Sequence, residues 1–229
     1  MKKIAILQSN YIPWRGYFDL INYVDEFIFF DEVQYTKGDW RNRNLIRNKK
    51  KFWITIPIVN KGCILKKILE IKIFNNQWHQ KHLQIFKENY KYAEYFNHTY
   101  SFLEEVYNNK QEYLYKINRN IIIEICKHIK INTKFNFSEN IPIKLHNTSP
   151  SIRLVEICKK QKASIYVTGP AAKIYLDQDL FLKENIKIEF FNYKECKKYN
   201  QINYSFIPQL SIVDCLFNCG DNKDKYLNY

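Results

Sequence analysis

Residues 3–31 read KIAILQSNYIPWRGYFDLINYVDEFIFFD, and their pattern decides the fold. An apolar run at 3–7 is followed by a polar loop, after which apolar residues recur at helical spacing from Trp14 to Val24. A second short apolar run, of strand length, lies between the flanking acids Glu26 and Asp31. Strand, helix and strand in so short a stretch form a βαβ unit, whose two strands pair in parallel through a right-handed crossover. The sequence therefore predicts an α/β fold.

The rest of the chain continues this alternation around a helical block. We expect further strands at 52–58, 68–73, 164–168 and 187–191, helix almost throughout 78–130, and a linker at 132–150. Ser149 or Ser151 is expected to cap the next helix, Gly169-Pro170 to open another, and Ser211 to begin a last helix that stops at Gly220. These elements predict a Rossmann-like, mostly parallel sheet with a helical layer or insertion at about 77–130, in a single domain over 1–229.

The composition is that of a folded protein without a membrane span. Of the 229 residues, 46% are hydrophobic and 26% are charged. The apolar run after the two N-terminal lysines stops at Gln8, too early for a signal peptide, and no stretch is apolar for long enough to form a membrane helix. We therefore expect a cytoplasmic location, where the six dispersed cysteines are reduced thiols.

No metal site is predicted. Cys215 and Cys219 are one helical turn apart rather than spaced as in a zinc knuckle. His79 and His82 share a presumed helix face, but no carboxylate pattern completes a ligand set. Cys126, Cys158 and Cys196 have no nearby histidine that would indicate a thiol nucleophile.

The formal charge of +13 favours an anionic partner. Nucleic acid, a nucleotide-sugar, a phosphorylated lipid and the cytoplasmic membrane face all fit that charge. The alternative is a solvated surface, because lysine, asparagine and isoleucine are heavily used throughout the chain.

Two loops after predicted strands carry most of the candidate site. In the first, residues 8–19, the helix start and its exposed N–H groups would hold an anion. Its candidate residues are Gln8, Asn10, Tyr11, Trp14 and Tyr17. In the second, residues 31–44, two arginines offer bidentate donors to phosphate, and aromatic rings would stack on a base or sugar. Its candidate residues are Asp31, Tyr35, Lys37, Trp40, Arg41, Asn42, Arg43 and Asn44.

A third segment, residues 168–176, again joins a strand to a helix start. Its candidate residues are Gly169, Lys173 and Tyr175. Since all three segments follow strands of one sheet, we expect their polar residues to converge on a single cleft at its carboxyl edge. The alternatives are ordinary helix core for the aromatic residues of 8–19, a solvated basic loop for 31–44 and a surface lysine at 173.

The opening resembles the nucleotidylyltransferase superfamily. There a loop after the first strand carries His-x-Gly-His, which contacts triphosphate. The equivalent residues here are Trp14-Arg15-Gly16-Tyr17, so both histidines are absent and the resemblance extends to the fold alone.

Motifs along almost the whole chain resemble those of the WbqC-like family of bacterial surface-polysaccharide loci. They are residues 4–18 (IAILQSNYIPWRGYF), 30–37 (FDEVQYTK), 40–44 (WRNRN), 169–176 (GPAAKIYL), 210–214 (LSIVD) and 218–220 (NCG). The departures are Leu7, where the family often has His, and Ser9, where it often has Pro.

The resemblance implies a role in building O-antigen or a similar glycan, by transferring glycine or another acyl group to an amino sugar on a nucleotide. The acyl donor would come from ATP through an adenylate, from aminoacyl-tRNA or from a thioester. We expect Arg41, Arg43 and Lys173 to hold phosphate, Trp14 to line the sugar pocket, and Asp31 and Tyr11 to serve as catalytic residues. The alternative is a non-enzymatic basic protein that binds RNA or phosphorylated lipid.

Overall fold

The computed structural model describes residues 1–47, 50–75, 77–143, 149–193, 197–202 and 205–229. Five strands form its central sheet: β1 (Lys3–Leu7), β2 (Glu26–Phe29), β5 (Lys134–Phe137), β6 (Ile165–Thr168) and β7 (Lys187–Phe190). They are all parallel and lie in the order β5-β2-β1-β6-β7. A separate antiparallel hairpin contains β3 (Arg43–Arg47) and β4 (Lys51–Thr55). The parallel sheet confirms the predicted α/β, Rossmann-like class.

The described residues contain seven α-helices. They are α1 (Arg15–Tyr23), α2 (Trp78–Tyr90), α3 (Phe96–Tyr107), α4 (Leu114–His128), α5 (Pro150–Lys160), α6 (Gln178–Lys183) and α7 (Ile212–Cys219). The helical layer predicted at about 77–130 corresponds to α2, α3 and α4. Alternation along β1 divides the core: Ile4 and Ile6 pack with α5 on one face, whereas Ala5 belongs to the larger cluster on the other. Burial on both faces is typical of parallel sheets.

Three local predictions are wrong. The expected strand at 68–73 is a short 3₁₀ helix, Ile68–Glu70, followed by isolated bridges. The expected linker at 132–150 contributes β5 to the sheet, although 144–148 lie outside the described residues. The predicted loop at 31–44 ends in β3. In each case partners distant in sequence decide the local conformation.

The helix boundaries follow local chemistry. The hydroxyl of Ser149 accepts from the Ile152 N–H and caps α5, and Ser211 caps α7. Gly220 ends α7 with φ +71° and ψ −153°, a conformation that favours glycine. Gly169-Pro170 opens a 3₁₀ helix, Pro170–Ile174, rather than the expected α-helix.

The strand order places a topological switch point between β1 and β6. From β1 the chain builds towards β2 and β5 on one side, and from β6 towards β7 on the other. In open parallel sheets the crevice outside the carboxyl ends of such strands is where ligands bind. The segments after Leu7 and Thr168 therefore border the expected site.

Candidate functional site

Arg41 joins the segment before β3 to the loop after β1. Its guanidinium donates to Oδ1 of Asn10 and, at 3.2 Å, to Oε1 of Gln8. Asp39 pairs with the same guanidinium at 3.4 Å. The Arg41 side chain remains 14% exposed, so its charge stays within reach of a ligand in solvent. Three of the predicted site residues, Gln8, Asn10 and Arg41, thus lie together at the carboxyl end of β1.

A cleft of about 250 Å³ lies beside this group. We call it the β1-end cleft, and its lining residues are Asn10, Pro13, Trp14, Trp40, Asn44 and Gln209. The amide nitrogen of Asn10 makes no hydrogen bond to any part of the chain that the structure describes, because only its Oδ1 is engaged, by Arg41. The cleft therefore combines two indole rings with a free amide donor next to a cation.

The backbone beneath the cleft is strained. Ile12 has φ +35°, an outlier for a β-branched residue, and Gln209 on the wall has φ +67°. The carbonyl groups of residues 11–13 are each fixed by one hydrogen bond, donated by Asn44 Nδ2 (3.0 Å), Ser211 Oγ (2.8 Å) and Ile212 N (2.9 Å). Strain that is held in place by its surroundings is concentrated at binding and catalytic sites.

Tyr11, a predicted catalytic residue, lies inside the protein rather than in the cleft. Its hydroxyl is 2.7 Å from Nδ1 of His82 and 2.6 Å from the hydroxyl of Tyr107. Burial lowers the pKa of His82 to about 3, so the ring is neutral, and its Nε2–H donates to the Thr55 carbonyl at 3.1 Å. Nδ1 of His82 therefore accepts a hydrogen bond from the Tyr11 hydroxyl. Burial also raises the pKa of the Tyr11 hydroxyl, which makes it a poor acid in this position.

Asp31, the other predicted catalytic residue, is fully buried and both of its carboxylate oxygens accept hydrogen bonds. Oδ2 accepts from Arg119 Nε at 2.7 Å, and Oδ1 accepts from the Ser9 N–H at 2.8 Å. The guanidinium of Arg119 also donates to the two carboxylate oxygens of Glu139, at 2.6 Å and 3.2 Å. Burial raises the pKa of Asp31, and the Arg119 charge opposes that shift. This arrangement ties the loop after β1 to α4 and favours a structural role for Asp31 over that of a base.

The other predicted residues of the first two segments support the site or lie outside it. Tyr17 donates to the Gln8 carbonyl at 2.9 Å, Tyr35 donates to Asn42 Oδ1 at 2.9 Å, and Asn42 donates to the Ile56 carbonyl at 2.9 Å. Lys37 is exposed. Arg43 is the first residue of β3, and its guanidinium lies 4.2 Å from the centre of the Trp53 ring on the paired strand β4. Arg43 does not line the β1-end cleft.

The third predicted segment approaches the cleft only at Gly169. A Cβ at that position would lie 3.6 Å from the Tyr193 hydroxyl, and the Tyr193 ring is 5.3 Å from the Trp14 ring. Tyr175 is exposed, and Lys173 lies over the Phe190 ring at 4.9 Å. Asn10 lines the cleft, whereas Arg43 and Lys173 do not. The expectation that all three segments place their polar residues in one cleft therefore needs correction.

The family now follows from comparison with known proteins. The sequence profile of the WbqC-like protein family matches residues 8–226. This chain belongs to the WbqC-like family. An uncharacterised protein of Mycobacterium tuberculosis is 40% identical over 231 aligned residues, which cover 100% of this chain and 99% of that relative. No solved structure matches the chain.

Asn118 is one residue of this WbqC-like site that sequence reasoning missed. It is fully buried on α4, and its Nδ2 donates to the Arg41 carbonyl at 2.8 Å and to the Ser9 carbonyl at 3.4 Å. It therefore holds the two loops of the site together. The signal was its spacing, because Ile121, Ile122 and Ile125 place Asn118 on the apolar face of the helix.

The cysteines of this WbqC-like protein limit the nucleophiles that it can offer. Cys63, Cys126, Cys158, Cys215 and Cys219 are free and buried, and Cys196 lies outside the described residues. Burial raises the pKa of Cys158 to about 12, which disfavours a thiolate nucleophile there.

In the described part of the chain, every helix is too short or too polar to cross a membrane.

Proposed function

We propose that this WbqC-like protein transfers an aminoacyl (glycine-like) or other acyl group to an amino sugar carried on a nucleotide, in the synthesis of a surface polysaccharide such as O-antigen. Membership of the family supports the biosynthetic setting. The observation that carries the proposal is the pairing of Arg41 with Asn10 beside a cleft walled by Trp14 and Trp40. A cation suits the nucleotide phosphates, and flat rings suit a sugar or base.

The reaction needs a hydrogen-bond donor on the protein that polarises the carbonyl group of the acyl donor. The amino nitrogen of the sugar attacks the carbonyl carbon, the C–N bond forms, and the C–O or C–S bond to the donor breaks. The amine loses one proton to the leaving group or to water. During attack the carbonyl oxygen becomes negative, and a hydrogen-bond donor fixed at that position stabilises it. The free amide nitrogen of Asn10 is a group in the cleft that fits this role.

The acyl donor is an adenylate formed from ATP, an aminoacyl-tRNA or a thioester. A formal charge of +13 suits the first two, since both present phosphates. Neither Asp31 nor Tyr11 takes part in this scheme, because both side chains are buried in hydrogen-bonded networks.

The test is to incubate the purified protein with nucleotide-linked amino sugars, ATP, amino acids and charged tRNA, and to search for acylated sugar by mass spectrometry. We expect Asn10→Ala to lower kcat by about 10²–10³-fold, the usual cost of one oxyanion donor. The matched control is Asn97→Ala on the exposed face of α3, which should leave the rate unchanged.

The competing class is a basic protein that binds RNA or lipid phosphate without catalysis, for which the charge of +13 is the supporting observation. Contact with several phosphates makes affinity fall steeply with salt, with a log–log slope near about −0.7 per contact on single strands. Absence of product from every donor and acceptor pair, together with a steep slope for RNA, would replace the transferase proposal with this one.

A further inference from the structure

A larger groove, of about 870 Å³, lies between β4 and the start of α2. We call it the hairpin groove, and the lining residues that matter here are Trp53, Thr55, Asn75, Gln77, Gln80 and Lys81. Its volume is within the range of small-molecule sites, roughly 300–1,000 Å³. The proposed reaction at the β1-end cleft makes no use of it.

Trp53 on the wall of the groove lies beside a second exposed indole ring, that of Trp40, which lines the β1-end cleft. Trp53 is 43% exposed and Trp40 is 41% exposed, with their ring centres 5.1 Å apart. The guanidinium of Arg43 lies 4.2 Å from the centre of the Trp53 ring and donates to the Gly38 carbonyl, so the ring is braced from that side. Two adjacent indole rings left in water are unfavourable, and such patches mark sites that a ligand covers.

The polar lining is almost uncharged. Thr55, Asn75, Gln77 and Gln80 are exposed hydroxyl and amide residues, which both donate and accept hydrogen bonds. Among the described residues that line the groove, Lys81 is the one formally charged side chain. A ligand rich in hydroxyl groups matches this set, whereas a polyanion would require several cations.

The histidine of the inner wall is not free for acid or base chemistry. His82 lines the groove, yet its Nδ1 accepts from Tyr11 and its Nε2–H donates to the Thr55 carbonyl. Both ring nitrogens are therefore occupied. These contacts of His82 favour a role of the groove in binding.

We propose that the hairpin groove is a binding site for a neutral saccharide. The apolar face of a sugar ring stacks on Trp53, and its hydroxyl groups exchange hydrogen bonds with Gln77, Gln80 and Thr55. Because Trp53 contacts Trp40, which lines the β1-end cleft, a saccharide chain in the groove extends towards the cleft. This binding site stands independently of the acyl transfer proposed above.

The test uses the full chain and a panel of neutral tetrasaccharides, namely chitotetraose, maltotetraose and cellotetraose, without nucleotide. Binding is measured by saturation-transfer NMR and by calorimetry. At least one member of the panel should bind, and Trp53→Ala should weaken that binding by about tenfold or more. Gln80→Ala should weaken it several-fold. Gln84→Ala is the matched control, because Gln84 lies one turn further along α2, outside the groove, and pairs with Glu88.

Circular dichroism confirms that each variant is folded, and Trp53→Phe, which keeps a smaller ring, should show an intermediate loss. Absence of binding across the panel, or equal binding by wild type and Trp53→Ala, overturns the proposal. Trp53-dependent binding of a single-stranded oligonucleotide with a steep salt dependence also overturns it, in favour of nucleic acid. Since none of these measurements involves an acyl donor, their failure leaves the transferase proposal standing.

Discussion

At the scale of single residues, His82 gives the stability of the fold a definite pH dependence. Burial lowers the pKa of His82 from 6.5 to about 3, so the ring stays neutral in the fold while the unfolded chain binds a proton. The unfolded state then holds more protons, and the free energy of unfolding falls by about 1.4 kcal/mol for each pH unit below 6.5. This stability is fully present above pH 6.5 and is lost as the pH falls towards 3.

Replacing His82 should remove that dependence. Between pH 6.5 and pH 5, the free energy of unfolding of the wild type should fall by ~2 kcal/mol more than that of His82→Gln. The measurement is urea denaturation of both proteins at the two pH values, with all other titrating groups shared. Equal losses in the two proteins would show that His82 is not held neutral by burial.

The roles of some residues of the site could be predicted from the sequence, and the roles of others could not. Gln8, Asn10 and Arg41 were predicted because they follow strands, and the fold brings them together at the end of β1. Asp31 has the same sequence context, but its partner Arg119 is 88 positions away on α4, so its buried ion pair was invisible. Position after a strand therefore identifies the edge of the sheet and not the orientation of each side chain.

At the scale of elements, two serines cap helices in different settings. Ser149, the cap of α5, accepts from the Ile152 N–H at 3.3 Å as its one side-chain hydrogen bond within the described residues, and it is exposed. Ser211 on α7 accepts from the Val213 N–H and also donates to the carbonyl of the strained Ile12 at 2.8 Å. The start of α7 thus fixes the floor of the β1-end cleft.

Alanine at these two positions should separate the capping role from the support of the cleft. Ser149→Ala should cost about 1 kcal/mol, the usual value of a cap. Ser211→Ala should cost roughly 2–4 kcal/mol, because it also leaves a buried carbonyl without its donor. Urea denaturation at neutral pH measures both. Equal costs would mean that the bond to Ile12 does not contribute to holding the strained loop.

The elements that were predicted are those with strong local patterns. β1, α1 and β2 have uninterrupted apolar periodicity, and the structure places all three within a residue or two of the expected bounds. β5, with sequence KFNF, is a short edge strand that pairs only with β2, so its sequence resembles the polar linker around it. β3 was hidden because Asn42, just before it, and Asn44, within it, are buried through hydrogen bonds that only the folded chain supplies.

At the scale of the whole molecule, the order of the strands can be related to the positions of the β1-end cleft and the hairpin groove. The switch point between β1 and β6 lies at the edge where open parallel sheets bind ligands, and Asn118 on α4 holds together the loops that carry Ser9 and Arg41. Trp40 lines the β1-end cleft and Trp53 lines the hairpin groove, and the centres of their rings are 5.1 Å apart. A charged ligand in the first and a neutral one in the second would lie side by side.

The most direct test of this account is calorimetric titration with a nucleotide-linked amino sugar such as UDP-glucosamine. Wild type should bind it, and Arg41→Ala should bind it at least about tenfold more weakly, since a hydrogen bond to a charged group contributes roughly 1.5–3 kcal/mol. Lys173→Ala is the matched control, because Lys173 is an exposed cation that does not line the cleft, and it should bind as wild type does. Equal affinity of wild type and Arg41→Ala, or an equal loss in both variants, would contradict the placement of the ligand at the carboxyl end of β1.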